Sequence, residues 1–232
     1  MSGPPARHGH ADPARSGRGC SSQCSSGTAG LRERFDVPLA ELTTLGLGGL
    51  ARRLIEAHTD QEAIEAVAAA DATGEPLLVI GGGSNLVIGD SGFDGTVLRI
   101  LIRSVVVRDR GDRAELVAAA GEPWDELVAR CVGDGLAGVE CLAGIPGLTG
   151  ATPIQNVGAY GQQVADAIVS VRAYDRTARD VVELSSRQCA FAYRTSGLRR
   201  NPGTSCSACA SRSSARPPGA RFATPSSPGL WA

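Results

Sequence analysis

Two glycine-rich segments constrain the fold of this chain more than any other feature. The first, G-G-G-S-N at residues 81–85, directly follows the apolar run L-L-V-I. The second, I-P-G-L-T-G-A-T-P-I-Q-N-V-G-A-Y-G, occupies residues 145–161. A strand that runs into consecutive glycines lets the backbone approach a ligand with no side chain in the way, and successive N–H groups there can point at one anion. The pair therefore indicates a cofactor with a diphosphate, held by two loops that are distant in sequence.

The first glycine loop taken alone also fits an ordinary Gly-rich turn. It lacks the G-x-G-x-x-G spacing of a Rossmann dinucleotide site, and the residues that follow it, Leu86, Val87 and Ile88, do not begin a capped helix. A Rossmann site is therefore disfavoured, and the diphosphate interpretation depends on the second segment.

Length and charge exclude several classes of protein. A chain of 232 residues has room for one large or two small domains. Its net charge of −1 gives no reason to expect nucleic acid or an anionic membrane surface as a partner. No apolar run approaches the length of a membrane span, and the N-terminus has no signal-peptide pattern. We therefore expect a cytoplasmic protein.

The cysteines do not predict a metal site. Cys20 with Cys24, and Cys206 with Cys209, lie in Ser-rich sequence far from a second pair at zinc-finger spacing. The thiols that lie among apolar residues, and that we expect to be buried and reduced, are Cys131, Cys141 and Cys189.

Local patterns predict strands that alternate with two helices. The predicted strands are residues 51–57, 77–80, 97–100, 105–107, 116–119, 167–174 and 180–184, the last two paired as a hairpin around residues 176–179. The first helix, residues 60–72, begins at a capping box from Thr59 to Glu62 and ends at Gly74. Its predicted apolar face consists of Ala63, Ile64, Val67 and Ala68. The second helix, residues 122–132, has core positions Trp124, Leu127, Val128 and Cys131.

Composition divides the chain into four parts. Residues 1–30 have almost no apolar side chains and are predicted to be a disordered extension. Residues 31–108 are predicted to form a first subdomain and residues 109–200 a second. Residues 201–232 are crowded with Ser, Pro, Ala and Arg without apolar periodicity, and are predicted to be an aberrant low-complexity tail.

Five motifs occur in one order between Phe35 and Arg200: T-T-L-G-L-G-G, G-G-G-S-N-L, G-I-P-G, P-I-Q-N-V-G-A-Y-G and F-A-Y-R-T-S. This series resembles the MurB family, the UDP-N-acetylenolpyruvoylglucosamine reductases of bacterial cell-wall synthesis. The resemblance implies an α+β fold with two α/β subdomains of a vanillyl-alcohol-oxidase/PCMH-type FAD-binding domain. The C-terminal substrate domain of that family has no matching sequence in this chain.

The resemblance also implies an activity. Members of this family are oxidoreductases in which NADPH reduces FAD, and the flavin reduces UDP-N-acetylglucosamine enolpyruvate to UDP-N-acetylmuramate, a peptidoglycan precursor. Cell-wall biogenesis, cell shape and cell division depend on that product. We keep two alternatives: an inactive FAD-binding remnant, and another oxidoreductase of the same flavoprotein fold. Nothing in the sequence indicates an oligomeric state.

Matching the family motifs residue by residue implies the site. The diphosphate would be wrapped by Gly81, Gly82, Gly83, Ser84 and Asn85. The rest of the flavin site would be lined by Ile145, Pro146, Gly147, Gly150, Ala151, Thr152, Ile154, Gln155 and Gly158. Tyr160 and Tyr193 would lie toward the UDP-sugar, and Arg194 matches the catalytic arginine.

The chemistry of an arginine suits that role. Hydride addition to an enolpyruvyl double bond places negative charge on the adjacent carboxylate, and a guanidinium is always protonated and binds a carboxylate through two hydrogen bonds. The alternative interpretation of Arg194 is a surface ion pair.

The chain departs from the family after Arg200. The family uses a proton-donating serine, in a motif like G-S-F-F-x-N-P, and a late glutamate, and neither motif is present. Codons read in a shifted frame from residue 202 permit the family-like segments G-Y-V-V-L-G-V-R-V-P and R-Y-A-E-L-A-R-A-L-G. We therefore expect a frameshift near residues 199–202, which the coding DNA would test.

Overall fold

The computed structural model describes residues 31–111 and 113–200, together with Gly3 and the backbone of Thr204–Ser205 and Ser211–Ala215. The helices are α1 (Asp60–Thr73), α2 (Trp124–Gly133), α3 (Thr152–Gln155) and α4 (Gly197–Arg200). The strands are β1 (Arg32–Pro38), β2 (Leu50–Ala57), β3 (Leu77–Ile80), β4 (Phe93–Ile100), β5 (Val105–Asp109), β6 (Ala114–Ala118), β7 (Gly158–Ala159), β8 (Gln162–Gln163), β9 (Ile168–Asp175), β10 (Asp180–Ser185), β11 (Thr204–Ser205) and β12 (Ser211–Ala215). Short 3-10 helices span Leu39–Leu42, Glu140–Leu142, Thr149–Ala151 and Val164–Asp166.

The first sheet has the order β1-β2-β4-β3. Strands β2 and β3 are both parallel to β4, and β1 is antiparallel to β2. The connection from β2 to β3 passes through α1, as a parallel crossover requires. Strand β3 ends at Ile80, so the first glycine loop leaves this sheet at the carboxyl end of a parallel strand, where ligands bind in open α/β sheets.

Helix α1 is fixed at both ends by its own sequence. The Thr59 hydroxyl accepts a hydrogen bond from the Glu62 N–H at 3.2 Å, and the Glu62 carboxylate accepts one from the Thr59 N–H, which is the predicted capping box. Gly74 ends the helix with a φ of 67°. Its buried face differs from the prediction, because Ala66 and Ala70 are buried whereas Ala68 is exposed.

The second sheet has the order β10-β9-β12-β6-β5. Strand β12 lies between β6 and β9 and is antiparallel to both. The sequence predicts no strand there, because S-R-S-S-A contains none of the β-branched or aromatic residues that favour strands. Within the described chain this segment joins the β5–β6 and β9–β10 hairpins into one sheet. Strand β5 also belongs to this sheet, so the chain passes from the first sheet to the second within residues 101–104.

One hydrophobic core extends across both sheets. It includes Val67 of α1, Leu98 of β4, Leu116 of β6, Val128 of α2 and Val171 of β9, all buried. Helix α2 is buried on its predicted face, and the Trp124 indole N–H donates to the Leu142 carbonyl at 3.0 Å.

Two ion pairs also connect the halves. Arg172 of β9 binds Asp60 at the start of α1. Arg176, which follows β9, binds both carboxylate oxygens of Asp71 near the end of α1, with Nε 3.1 Å from each. The two halves are therefore held together by charge as well as by apolar contact.

The predicted strands and helices are present, with shifts of up to four residues at their ends. Strand β1 is missed by sequence because Val37 is its one buried residue, which leaves no alternation to detect. Cys131 and Cys189 are buried free thiols, whereas Cys141 is half-buried and not fully buried as predicted. None of the helices in the described part of the chain is long and apolar enough to cross a membrane.

The predictions for residues 1–30, for the remaining four cysteines and for the shifted-frame segments lie outside the described residues, apart from Gly3 and the backbone of β11 and β12.

Candidate functional site

The two glycine-rich segments meet in space. The Ser84 hydroxyl donates a hydrogen bond to the carbonyl oxygen of Pro146, 3.2 Å away and 62 residues apart in sequence. A Cβ atom added to Gly82 would lie 3.3 Å from the Cα of Gly147. The loops therefore approach each other closely enough that a side chain at either glycine would disturb the other loop.

The first loop has backbone N–H groups that no acceptor in the described chain binds. Gly83 has a φ of +66°, and a Cβ there would lie 1.9 Å from the Leu42 carbonyl oxygen, so this position requires glycine. The Thr44 N–H donates to the Gly83 carbonyl at 3.1 Å, which anchors the loop through an oxygen. Among residues 31–111 and 113–200, no protein acceptor binds the N–H groups of residues 82–85. A row of N–H groups of this kind binds phosphate oxygens.

The second segment is held rigidly by the strand and loop that precede α2. The Thr149 N–H and hydroxyl both donate to the Glu122 carbonyl, at 2.8 and 3.0 Å. The Gly150 N–H donates to the Ala120 carbonyl at 2.9 Å, and a Cβ at Gly150 would lie 2.6 Å from the Cβ of Ala120. Glycine at this position therefore allows the backbone of the segment to pack directly against residue 120.

A cavity of about 440 Å³ lies where the loops meet. Its lining residues are Val79, Ile80, Gly81, Gly82, Gly83, Ser84, Asn85, Leu86, Ile145, Pro146, Gly147, Leu148, Ala151, Thr152, Gln155, Val157, Gly158, Ala159 and Arg194. An adjoining cavity of about 230 Å³ shares some of this lining and is otherwise apolar, with Ile100, Ala120, Gly150 and Ile154.

The structure brings the sequence-predicted cofactor residues together. All of them line the larger cavity except Gly150 and Ile154, which line the adjoining one. Sequence reasoning missed Leu148, Val157 and Ala159, although all three lie inside the second glycine-rich segment. Their apolar side chains could not be distinguished from core residues by type, and their position within the motif was the available signal.

Arg194 lies at the tip of a tight turn beside the cavity. The turn is closed by two hydrogen bonds between Ala192 and Thr195, with N–O distances of 3.0 and 3.2 Å. Arg194 has a φ of 54°, a left-handed conformation that is uncommon for a residue with a side chain. Its guanidinium lies 5.8 Å from the centre of the Tyr193 ring. It forms no ion pair with any described residue, so the surface ion pair proposed as the alternative is not seen there.

A third cavity, of about 270 Å³, adjoins the first on the side of Arg194. Tyr160 and Tyr193 line it and are 92% and 83% exposed, so their rings are available to a ligand. Three residues line both this cavity and the glycine-loop cavity: Gly158, Ala159 and Arg194. The predicted substrate-side residues therefore lie together, next to the predicted cofactor residues.

The charges around the three cavities favour anions. Arg194 lines two of the cavities, and no described carboxylate lines any of the three. Glu140 lies in the loop before the second segment, but its carboxylate accepts a hydrogen bond from the Gly138 N–H. Burial alone would raise the pKa of the Glu140 carboxyl, whereas hydrogen bonds from backbone N–H groups and from Gln162 outweigh burial and lower it. The charge of Glu140 therefore stabilises the loop.

Among the residues that the structure describes, no group of three or more His, Cys, Asp or Glu side chains is arranged to hold a metal ion. The chemistry of the cavities is instead that of unpaired backbone N–H groups, apolar walls and one guanidinium. These features fit a cofactor with a diphosphate and a flat apolar ring, because they supply donors for the anion and contact area for the ring.

Comparison with known proteins identifies the domain. The FAD binding domain family matches residues 51–184, which include both glycine-rich segments. The chain is 59% identical over 172 residues to the UDP-N-acetylenolpyruvoylglucosamine reductase of Streptomyces coelicolor, covering 74% of this chain and 44% of that protein. It is 57% identical over 172 residues to the reductase of Streptomyces avermitilis, covering 74% and 46%. The chain thus spans about half the length of the relatives it matches.

Solved structures agree on the fold. The reductase MurB from Thermus caldophilus aligns with a TM-score of 0.59 and 28% identity, over 80% of this chain and 61% of that chain. Aclacinomycin oxidoreductase aligns with a TM-score of 0.58 and 20% identity, over 83% and 42%, which shows the fold alone. The chain belongs to the FAD binding domain family, with the vanillyl-alcohol-oxidase/PCMH-type fold predicted from the sequence motifs.

Proposed function

We propose that this chain is the flavin-binding part of a UDP-N-acetylenolpyruvoylglucosamine reductase, which uses FAD and NADPH to reduce UDP-N-acetylglucosamine enolpyruvate to UDP-N-acetylmuramate. The observation that carries the proposal is the position of Arg194, between the glycine-loop cavity and the cavity lined by Tyr160 and Tyr193. The names and identity of the Streptomyces relatives support it. In this proposal the reaction takes place in the cytoplasm and supplies cell-wall synthesis, on which cell shape and division depend.

The cofactor residues have separate tasks. The N–H groups of residues 82–85 would bind the diphosphate of FAD, and Gly82 lets this loop approach Gly147 of the second segment. Ile145, Gly147 and Leu148 from the second segment line the opposite wall of the cavity. Once reduced by NADPH, bound FAD would supply the hydride for the double bond of the substrate, with the balancing proton taken from solvent. The protein side chains bind and orient the two ligands.

Arg194 acts on the carboxylate of the substrate. Charge that develops on an enolpyruvyl carboxylate is stabilised by a fixed guanidinium that does not need to reorganise during the reaction. The left-handed conformation of Arg194 and the closed turn from Ala192 to Thr195 fix the backbone that carries the guanidinium. Tyr160 and Tyr193 offer exposed rings and hydroxyls toward the UDP-sugar.

Two measurements on the purified chain test this proposal. Titration with FAD, followed by flavin fluorescence, reports cofactor binding. NADPH oxidation is then measured with and without UDP-N-acetylglucosamine enolpyruvate. Oxidation that depends on the enolpyruvyl sugar supports the proposal, even at the rate roughly 10²–10⁴-fold lower that we expect without the proton-donating serine motif of the family. Binding of FAD without any such turnover would favour the alternative of a flavin-binding remnant. Turnover with a different class of substrate, and none with the enolpyruvyl sugar, would favour another oxidoreductase of the same fold.

A further inference from the structure

Asn156 occupies an unusual position between the cofactor cavity and the turn that carries Arg194. It is 2% exposed and follows Gln155, which lines the glycine-loop cavity. Its φ of 48° is left-handed, a conformation that Asn tolerates better than most residues with a side chain. It ends helix α3 as the C-cap. A buried polar side chain in this place must be paired within the protein.

The Asn156 amide binds three partners from separate parts of the chain. Its Nδ2 donates to the Gln163 Oε1 at 2.7 Å and to the Ala192 carbonyl at 2.9 Å. Its Oδ1 accepts a hydrogen bond from the Ala165 N–H at 3.2 Å. All three hydrogen bonds are satisfied by one orientation of the amide, with Nδ2 facing the two acceptors and Oδ1 facing the donor. One side chain therefore links α3, the β8 region and the base of the Arg194 turn.

A second buried side chain holds the other end of the same turn. Ser196 is 0% exposed, and its hydroxyl donates to the Ile154 carbonyl of α3 at 2.8 Å. The turn tip, Tyr193 and Arg194, is exposed, and Arg194 forms no ion pair with the described residues. The direction of the guanidinium therefore depends on how the base of the turn is fixed to α3, through Asn156 and Ser196.

We propose that Asn156 is a positioning residue that fixes Arg194 relative to the cofactor cavity. The role of Arg194 rests on the proposed function, whereas the link from Asn156 to the turn rests on the contacts alone. Through its hydrogen bond to the Ala192 carbonyl, Asn156 holds the turn at a fixed position relative to the segment that contains Gln155. A displacement of about 1 Å at a reacting group can cost on the order of 100-fold in rate, so loss of this link should reach the reaction without touching the cofactor.

Three substitutions separate the amide from the backbone conformation. Asn156→Gly keeps the left-handed conformation and removes the amide. Asn156→Asp keeps the shape and the acceptor for the Ala165 N–H but cannot donate to the Ala192 carbonyl, whereas the Gln163 amide can rotate to donate. Asn156→Ala removes the amide and also strains the backbone. Gln61→Ala removes an exposed amide on α1, far from the site in sequence, and serves as the control.

The first readout does not depend on the proposed function. Hydrogen exchange of the peptide that contains residues 190–197 is measured in the full chain without added ligand. Asn156→Gly and Asn156→Asp should each accelerate exchange of this turn about tenfold or more, and Gln61→Ala should not. Unchanged exchange in both Asn156 variants would overturn the inference. If the chain binds FAD but never turns over the enolpyruvyl sugar, the proposed function is overturned. The exchange measurement still tests the role of Asn156 in that case.

The second readout distinguishes positioning from general damage. Asn156→Asp should lower kcat with the enolpyruvyl sugar by roughly ten- to a hundredfold, with less than a threefold change in the Kd for FAD. The loss should nearly disappear when Arg194 is already replaced by Lys, because the two residues act through one interaction. Equal losses in both backgrounds, or a parallel loss of FAD affinity, would show a purely structural role and contradict the inference.

Discussion

The Ser84 hydroxyl donates a hydrogen bond to the Pro146 carbonyl oxygen across the cofactor cleft, at 3.2 Å. It is a side-chain hydrogen bond that joins the tips of the two glycine-rich segments. One segment leaves β3 of the first sheet, and the other contains α3. The bond therefore sets the distance between the two walls of the cavity before a ligand arrives.

Removal of this bond should weaken cofactor binding without unfolding the chain. Ser84→Ala loses one exposed hydrogen bond, of net value about 1 kcal/mol, which corresponds to a roughly fivefold increase in the Kd for FAD. A flavin fluorescence titration measures it. Ser104→Ala, at an exposed position that precedes β5, is the control and should leave the Kd unchanged. An unchanged Kd in Ser84→Ala would mean that the cofactor alone aligns the loops.

Substitutions at two glycines of the first loop should have different effects on FAD binding and on stability. A Cβ at Gly82 would lie 3.3 Å from the Gly147 Cα, so Gly82→Ala should push the loops apart and weaken FAD binding about tenfold, or ~1.4 kcal/mol, with little change in stability. Gly83→Ala should destabilise the fold by more than about 1 kcal/mol, because its Cβ meets the Leu42 carbonyl and its φ is left-handed.

Urea unfolding and FAD titration of both variants test this contrast. Gly133→Ala is the control, since no atom lies within 4 Å of the added Cβ and alanine favours the helix. Similar stabilities for Gly82→Ala and Gly83→Ala would contradict the assignment of separate roles to these two glycines.

Substitution of the proposed catalytic arginine should affect turnover and spare the cofactor. Arg194→Lys keeps the charge but loses the planar pair of donors that binds a carboxylate. We expect a loss of roughly 100-fold in kcat with the enolpyruvyl sugar, and a Kd for FAD within about twofold of the unsubstituted value. Arg187→Lys, at an exposed position before the turn, should change neither quantity. Comparable losses in both variants would remove the special role of Arg194.

The ion pair between Arg176 and Asp71 should contribute to the stability of the whole domain. Both side chains are half-buried, and the guanidinium contacts both carboxylate oxygens. Hydrogen bonding to Asp71, opposed by burial, raises the pKa of Arg176, so its guanidinium stays charged. A double-mutant cycle with alanine, measured by urea unfolding, should give a coupling energy of about 1 kcal/mol that falls at high salt.

The exposed pair of Arg130 and Asp134 on α2 provides the comparison. Its atoms lie 3.7 Å apart and both side chains are about half exposed, so its coupling energy should be about 0.5 kcal/mol or less. Equal coupling energies in the two cycles would mean that the partial burial of Arg176 and Asp71 does not strengthen their ion pair.

The loop before the second glycine-rich segment should lose stability in acid through Glu140. The pKa of this carboxyl is lowered in the folded chain, because hydrogen bonds to it outweigh burial. Its contribution is therefore fully present above the ordinary pKa of glutamate, about 4.3, and is lost as the pH falls through the lower pKa of the folded state. Glu140→Gln should be less stable than the unsubstituted chain at neutral pH.

The difference in the free energy of unfolding between the unsubstituted chain and Glu140→Gln should shrink as the pH falls below about 4. Urea unfolding over a pH series measures it. A difference that stays constant from neutral to acid pH would mean that the Glu140 carboxylate does not contribute through its charge. Glu126→Gln, at an exposed carboxylate on α2, is the control.

Sequence patterns predicted much of the local structure and failed where a contact from elsewhere decided the outcome. The capping box at Thr59 and the αL cap at Gly74 are present as predicted, because each is made within one turn of helix. Strand β1 was missed because β2 pairs with it while its own side chains stay exposed. Ala68 was placed on the wrong face of α1, because apolar type alone does not reveal direction.

The candidate site shows the same division. The two glycine-rich segments identify most of the cavity residues, since positions that require close backbone approach or left-handed φ are visible as glycine in the sequence. Arg194 was identified from its match to a family motif, F-A-Y-R-T-S. Leu148 was missed because a leucine in the wall of a cavity has the same residue type as one in the core.

The sequence by itself determined the elements, their caps and the chemistry of the two loops, because these depend on interactions within a few residues. The tertiary structure alone decided that Ser84 meets Pro146, that β12 lies between β6 and β9, and that Asn156 holds the turn of Arg194. Those contacts join residues tens of positions apart. Their geometry follows from the packing of both sheets around one core, which no local pattern encodes.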